Sequence, residues 1–427
     1  MPFTPQRAFQ AKPRIFTSAQ GMYYRTQDGR EVLDSIAGLW CVNAGHAQPA
    51  IVKAIQAQAE RLDFVSSFSM SHPPAFELAS RLAALAPGPL NHVFFSNSGS
   101  EAVDTALKIA RGYHRARGEG GRTRFISRAK AYHGMGWGGL SVSGLARHRR
   151  DFGPFLPEVA HLSLPYDPKV SAFSQGLPDS GAHFVDELVA LLATTHDPST
   201  IAAVIVEPVT GSGGVYPPPK GYLERLRAVC DQHGILLIFD EVITGFGRVG
   251  APFAAQAFNV TPDIMTCAKG MTNGAVPMGA TIVSDTVYDA FMTKPADQIE
   301  LPHGYTYSAH PLACAAALAT LDVYREQALF ERVGKMAGVW AKAAHKLRGA
   351  RHVVDIRTIG LLAGIDLSPR PGAAGARGTE VNQACFDQGV LVRTAGDTFM
   401  LSPPFLISEE EIDRLFSTLA AILDKTA

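Results

Sequence analysis

The chain has 427 residues, enough for one large domain with elaborations or for two domains packed together. Hydrophobic residues make up 46% and charged residues 18%, which supplies a sizeable core and excludes a disordered chain. The 39 Lys and Arg balance the 39 Asp and Glu, so charge gives no reason to expect nucleic acid or an anionic membrane as a partner, and the basic run 147–150 is short.

The five cysteines (Cys41, Cys230, Cys267, Cys314, Cys385) are odd in number and widely spaced, with no CxxC pair. Neither a disulfide framework nor a metal site is expected from them, and a reducing compartment fits. Residues 1–20 hold charges and prolines but no apolar signal core, and no apolar stretch is long enough for a lipid span. A cytoplasmic protein is the expectation.

In chain order, residues 21–33 read as a hairpin turning at Asp28-Gly29, and 48–61 as a helix with Ile51, Ile55 and Ala59 on one face. A strand at 93–95 leads to a helix over 100–117 with Ala102, Ala106, Ile109 and Ala110 inward. Further strands are expected at 124–127, 140–143 and 201–206, the last followed by a Gly- and Pro-rich loop, 211–220. The helix 221–233 ends at Gly234, which can take the left-handed cap conformation. Strands follow at 235–239, 263–267 and 278–283. Continuous apolar runs alternating with helices indicate an α/β domain whose mainly parallel sheet is covered on both faces. Beyond a helix at 311–326, short strands at 353–356, 362–366 and 390–393 between helices predict a smaller α+β domain, which the N-terminal hairpin joins. The expected division is 1–60 (N-terminal part of the small domain), 61–320 (large domain) and 321–427 (C-terminal part of the small domain).

Three places carry chemistry. Asp240 follows the 235–239 strand and opens the stretch DEVITGFGR (240–248). A carboxylate at the carboxyl end of a buried strand sits where open α/β sheets bind ligands, and it can keep a pyridine nitrogen protonated. The same Asp read alone is an acid capping the next turn. Lys269 ends another apolar strand among small neighbours and Gly270, Gly274 and Gly279, and a sheltered amine there becomes a nucleophile for an aldehyde; read alone it is a surface lysine. The 29 residues from Asp240 to Lys269 leave room for one crossover helix between adjacent strands, which brings both side chains to one edge of the sheet. Residues 96–102 (SNSGSEA) join a strand to a helix N-terminus, which suits a phosphate and equally suits an ordinary N-cap. Tyr132, in Tyr132-His133-Gly134, can lie on an aromatic ring or be a core tyrosine.

Taken in order, these signals resemble the class III aminotransferases of the aspartate-aminotransferase fold (fold type I of the pyridoxal-phosphate enzymes), and within them the omega-amino acid–pyruvate (beta-alanine–pyruvate) group. The likeness extends over nearly the whole chain and is densest at DSIAGLW (34–40), LNHVFF (90–95), DEVITGFGR (240–248), TNGAVPMGA (272–280) and PHGYTYSAHP (302–311). It implies a pyridoxal 5′-phosphate transaminase that moves an amino group from a beta-alanine-like donor to pyruvate. Lys269 would form the Schiff base and Asp240 would partner the pyridine nitrogen. Gly99 and Ser100 would hold the phosphate, Tyr132 and Val242 would cover the two ring faces, and Glu207 would lie near the cofactor. Thr306 would reach the phosphate of a neighbouring subunit, which implies a homodimer or tetramer. Trp40 and Arg393 would contact substrate, the arginine forking onto its carboxylate. One departure stands out: Met400 replaces a glutamine of the family near Arg393, and a thioether cannot donate a hydrogen bond. The implied activity leaves open taurine or broad amine donors, and the fold also carries aminomutases and racemases.

Overall fold

The computed structural model describes residues 1–426. The N-terminal strands β1 (Phe16–Gln20), β2 (Tyr23–Thr26) and β3 (Glu31–Asp34) form an antiparallel meander. The expected hairpin is β2–β3, closed by Thr26 and Arg30; β1 went unread because none of its residues is buried and they carry little apolar signal. The helix Pro49–Arg61 buries Ile51 and Gln58, whereas Ala59, expected inward, is exposed. The buried stripe follows the three-to-four-residue period into Gln58, whose amide donates to the Leu62 carbonyl at 2.8 Å.

The centre is a seven-stranded sheet of β4 (Leu90–Ser96), β5 (Arg124–Arg128), β6 (Val159–Leu162), β7 (Ile201–Val206), β8 (Leu236–Asp240), β9 (Ile264–Cys267) and β10 (Gly279–Ser284). Their order is β4-β10-β9-β8-β7-β5-β6. Only β10 runs antiparallel to its two neighbours, so the sheet is mainly parallel, as the continuous apolar runs predict. Every residue of β7, β8, β9 and β10 is buried, which requires cover on both faces. The helix Gly99–Ala116 supplies part of it, packing Ala102, Ala106, Ile109 and Ala110 toward β9 and β10. The helix Tyr222–His233 ends on Gly234 at φ 62°, the left-handed cap.

The structure corrects one expectation here. Residues 140–143 are not a strand: Trp137–Val142 is a short helix, started where the Gly139 amide donates to Asp104 Oδ1 at 2.7 Å. The alternation Leu140-Ser141-Val142-Ser143 reads as a strand period, but it is too short to separate strand from one turn of helix. The crossover from β8 to the adjacent β9 contains only the one-turn helix Ala254–Ala257 and is otherwise loop.

The helix Pro311–Glu326 leads into a second antiparallel sheet of β11 (Val353–Ile359), β12 (Leu362–Leu367), β14 (Arg393–Ala395) and β15 (Thr398–Leu401). The single strand expected at 390–393 is two. β13 (Val390–Leu391) pairs in parallel with β3, and the chain then passes through buried Val392 into β14 of the other sheet. Among the described residues no helix is long and apolar enough to cross a membrane.

The second sheet is tied to the loop after β7 by Arg357, which is fully buried on β11. Its Nη2 donates to the Gly214 carbonyl at 2.7 Å and its Nε to the Val215 carbonyl at 3.0 Å, while Asp355 and Asp366 neutralise it. Removing the cation strands buried acceptors and an uncompensated carboxylate. Arg357→Ala is therefore expected to lower unfolding free energy by about 3–5 kcal/mol, read as a loss of denaturant midpoint; a change within the scatter of surface variants would refute this account.

Candidate active site

A cavity of about 600 Å³ opens at the carboxyl end of β8 and β9. Its floor is organised by Asp240, the last residue of β8, which is 5% exposed. Oδ2 faces His133 Nδ1 at 2.8 Å; Oδ1 accepts from the Val242 amide at 3.1 Å and the Thr266 hydroxyl at 3.3 Å. His133 is fully enclosed and its other nitrogen, Nε2, has no partner. With Nδ1 turned to a carboxylate, the ring proton belongs on that side. The neighbouring Glu241 points elsewhere: it accepts from the Thr244 hydroxyl and the amides of Ala254 and Ala255, and burial still pushes it up to about 7.

Lys269 lies just beyond the end of β9, in the left-handed region at φ 47°, a conformation a lysine adopts only where the surroundings enforce it. They do so through Asn273, whose Oδ1 accepts from the Ala44 amide and whose Nδ2 donates to the Gly45 carbonyl, each at 2.8 Å. Tyr324 adds a hydroxyl bond to the Gly270 carbonyl at 2.6 Å. The Lys269 amine projects into the cavity and lies 5.1 Å from the centre of the Trp40 ring. Burial lowers its pKa, an effect that Cys41, Asp240 and Glu207 offset only in part. The result is an amine more readily neutral, hence more nucleophilic, than a solvated lysine.

Trp40 is 2% exposed and sits in a strained turn, with Ala37, Gly38 and Trp40 all at positive φ. Asp34 holds that turn. Its carboxylate accepts from the amides of Ile36 (2.9 Å) and Gly38 (2.7 Å) and faces His46 Nε2 at 2.8 Å. Arg393, the first residue of β14, also lies 5.1 Å from the Trp40 ring centre, and its Nε is buried without an acceptor. Trp40 is thus approached by two cations, one deep in the cavity and one from the small sheet. Met400 pairs with Arg393 across β14 and β15, yet it does not line the cavity. It is fully buried in a cluster with Trp40, Val209, Val215, Ile243 and Leu362, so the thioether packs where an amide would need partners.

The wall opposite the strand ends is the N-terminus of the Gly99–Ala116 helix. Ser98 caps it by accepting from the Glu101 amide at 3.2 Å, and the first-turn amides of Gly99 and Ser100 have no intrahelical carbonyl to reach. A Cβ at Gly99 would come within 2.8 Å of Val242, and one at Gly134 within 2.7 Å of the Ser100 backbone, so both glycines allow close approach of main chain at this corner. Glu207, at the end of β7, accepts from the amides of Tyr132 (3.0 Å) and Gly211 (2.9 Å), and burial pushes its pKa up.

Of the residues singled out from the sequence, Trp40, Gly99, Ser100, Tyr132, Glu207, Asp240, Val242, Lys269 and Arg393 all line this cavity. Thr306 does not; it is exposed on the surface. Sequence reasoning passed over His133, although it adjoins Tyr132, because a lone histidine has no periodic signature. It also passed over Asp34, which looks like an ordinary strand-end acid, and over Phe3, Arg147 and His148 at the mouth.

The family model described as "Aminotransferase class-III" matches residues 6–423. An omega-aminotransferase of Caulobacter vibrioides is 57% identical over 99% of this chain and 96% of its own length. A beta-alanine–pyruvate aminotransferase of Pseudomonas aeruginosa is 46% identical over 100% and 95%. Among solved structures, an (S)-enantioselective omega-transaminase from Thermomicrobium roseum superposes with a TM-score of 0.93 at 37% identity, covering 100% of this chain and 95% of that one. An amine transaminase from an uncultivated Pseudomonas species, solved in its PLP-bound form, gives 0.90 at 36%, covering 100% and 97%. With the acid, the amine and the helix N-terminus gathered at one rim, and a match over almost its full length, this chain belongs to the class-III aminotransferases.

Proposed function

We propose that this aminotransferase moves the amino group of an omega-amino acid such as beta-alanine, or of a related amine, onto pyruvate, releasing alanine and an aldehyde or keto acid, with pyridoxal 5′-phosphate held in the cavity. The observation that carries the reading is the placement of the Arg393 guanidinium and the Lys269 amine about one indole ring, each 5.1 Å from its centre. That pairs a nucleophilic amine with a planar donor fork suited to a carboxylate. The names of the relatives from Caulobacter and Pseudomonas support the donor and acceptor classes.

The residues present fit the cofactor. Free amides at a helix N-terminus suit a phosphate, a buried carboxylate suits a protonated ring nitrogen, and a pKa-lowered amine suits an aldehyde. When bound, pyridoxal phosphate supplies an aldehyde that takes up amines and a protonated ring that accepts electrons from a breaking C–H bond. Asp240 holds the proton at the ring nitrogen, and His133 holds Asp240 in place. Gly99 and Ser100 anchor the phosphate, Tyr132 and Val242 confine the ring, and Glu207 fixes the Tyr132 main chain. Lys269 Nζ would take the proton from the donor carbon and give it back, as general base and then acid. Arg393 orients the carboxylate of pyruvate, and Trp40 keeps water from the reacting face.

The site is completed by a second copy of the chain, to which Thr306 belongs. Around Thr306 the surface is apolar and open: Phe68 is 61% and Tyr307 57% exposed, and the Tyr307 ring lies 5.9 Å from that of half-covered Phe64. Such a patch is what a homodimer covers.

Three outcomes are expected. A donor screen with pyruvate should give alanine from beta-alanine or another omega-amine, with no turnover when the keto acid is omitted; product formed without it would mean an isomerase. Lys269→Ala should lose turnover by about a thousandfold or more and lose the visible absorbance of the lysine-bound cofactor, and near-normal rates would remove the lysine from the reaction. Because only the neutral amine attacks and its pKa is lowered, cofactor capture by the apo-enzyme should accelerate with rising pH, with a midpoint below the value of about 10.4 for a free lysine. Stopped-flow uptake showing a midpoint at or above that value would contradict the sheltered amine.

A further inference from the structure

Arg147 and Arg393 line the same cavity, and neither has an acidic partner among the described residues. Arg147 reaches only His148, its Nε lying 3.3 Å from the ring Nε2, and it is exposed at the mouth. The other arginines of the 147–150 run do not line the cavity: Arg149 lies over the Phe155 ring at 4.9 Å and Arg150 pairs with Asp151 at 3.1 Å. The acids of the cavity cannot serve either guanidinium, because Asp240 is engaged by His133, Val242 and Thr266, and Glu207 by the amides of Tyr132 and Gly211. Two like charges facing one partly apolar space repel, and a ligand with two negative groups relieves the repulsion. The proximity is felt already: after burial, the Arg147 charge is the next cause holding the Arg393 pKa down.

We infer that Arg147 is a second carboxylate-binding residue, and that the cavity accepts, beside pyruvate, a dicarboxylic 2-keto acid whose near carboxylate meets Arg393 and whose far carboxylate meets Arg147. The inference rests on the assignment of Lys269 and Arg393 made above. The transfer keeps its balance: the acceptor carbonyl becomes an amine, giving a 2-amino dicarboxylate, while the donor amine becomes a carbonyl. Arg147 lies at the mouth and keeps part of its hydration, so its contribution is moderate and falls on acceptor choice.

The test compares acceptors on the holoenzyme with a saturating donor. In the native enzyme 2-oxoglutarate should be turned over, and glutarate should inhibit competitively against pyruvate. In Arg147→Ala the ratio of kcat/KM for 2-oxoglutarate to that for pyruvate should fall about tenfold, with glutarate binding, followed by calorimetry, weakened in parallel. Arg147→Lys should recover part of the ratio, and Arg150→Ala, outside the cavity, should leave it in place. An unchanged ratio in Arg147→Ala, or a native enzyme that neither uses 2-oxoglutarate nor binds glutarate, would overturn the inference. Failure with pyruvate itself strikes the functional reading instead, and glutarate calorimetry on native and Arg147→Ala protein still decides the role of Arg147.

Discussion

A carboxylate enclosed in a protein must be surrounded by donors, and Asp240 is the place where this molecule meets that requirement. Its two oxygens receive an imidazole, a main-chain amide and a hydroxyl drawn from three separate segments. Each donor constrains an element. Thr266 belongs to β9 and so fixes the neighbouring strand that leads to Lys269. Val242 sets the first turn of the loop that presses on Gly99. His133 fixes the segment carrying Tyr132. An apolar residue at position 240 would release all three at once, and the partnerless Nε2 of His133 would then be a second unsatisfied group in the same enclosed volume.

Around that anchor the cavity is assembled from strained main chain, which is why so many buried polar side chains stand behind it. Trp40 and Lys269 both hold positive φ, and each is secured by a side chain with no catalytic duty: Asp34 for the tryptophan turn, Asn273 for the lysine turn. The two supports are joined, since Asn273 bonds to Ala44 and Gly45, while Asn43 meets buried Arg248 and donates to the Phe246 carbonyl at 3.1 Å. Arg248 in turn donates to the Pro403 carbonyl at 2.6 Å, and burial lowers its pKa to about 10. Strain at functional positions persists only where the surroundings over-determine it, and this network is that surrounding.

The strands that carry Asp240 and Lys269 were legible because they are buried on both faces and so read as unbroken apolar runs. The Gly99–Ala116 helix was legible because its inward positions repeat at helical period. What failed shares a cause: segments too short for a period to declare itself. Residues 140–143 look alike as strand or turn of helix, and a flanking Asp104 carboxylate decides it. Residues 390–393, an apolar run ended by Arg393, read as one strand in sequence but serve two sheets, a division made by which partner strands lie nearby. Met400 was expected to bear on the substrate from its sequence proximity to Arg393, whereas its burial beneath Trp40 depends on the small sheet folding over the large one.

The passage from β13 to β14 has a mechanical consequence. Leu391 is paired with Asp34, the residue that clamps the Trp40 turn, and Arg393 follows two positions later with only Val392 between. Guanidinium and indole therefore share one backbone frame, while amine and carboxylate ride on the other. The spacing of that first pair is thus set by the β3–β13 pairing and not by the large sheet, so a change in either of those two short strands would reach guanidinium and indole together.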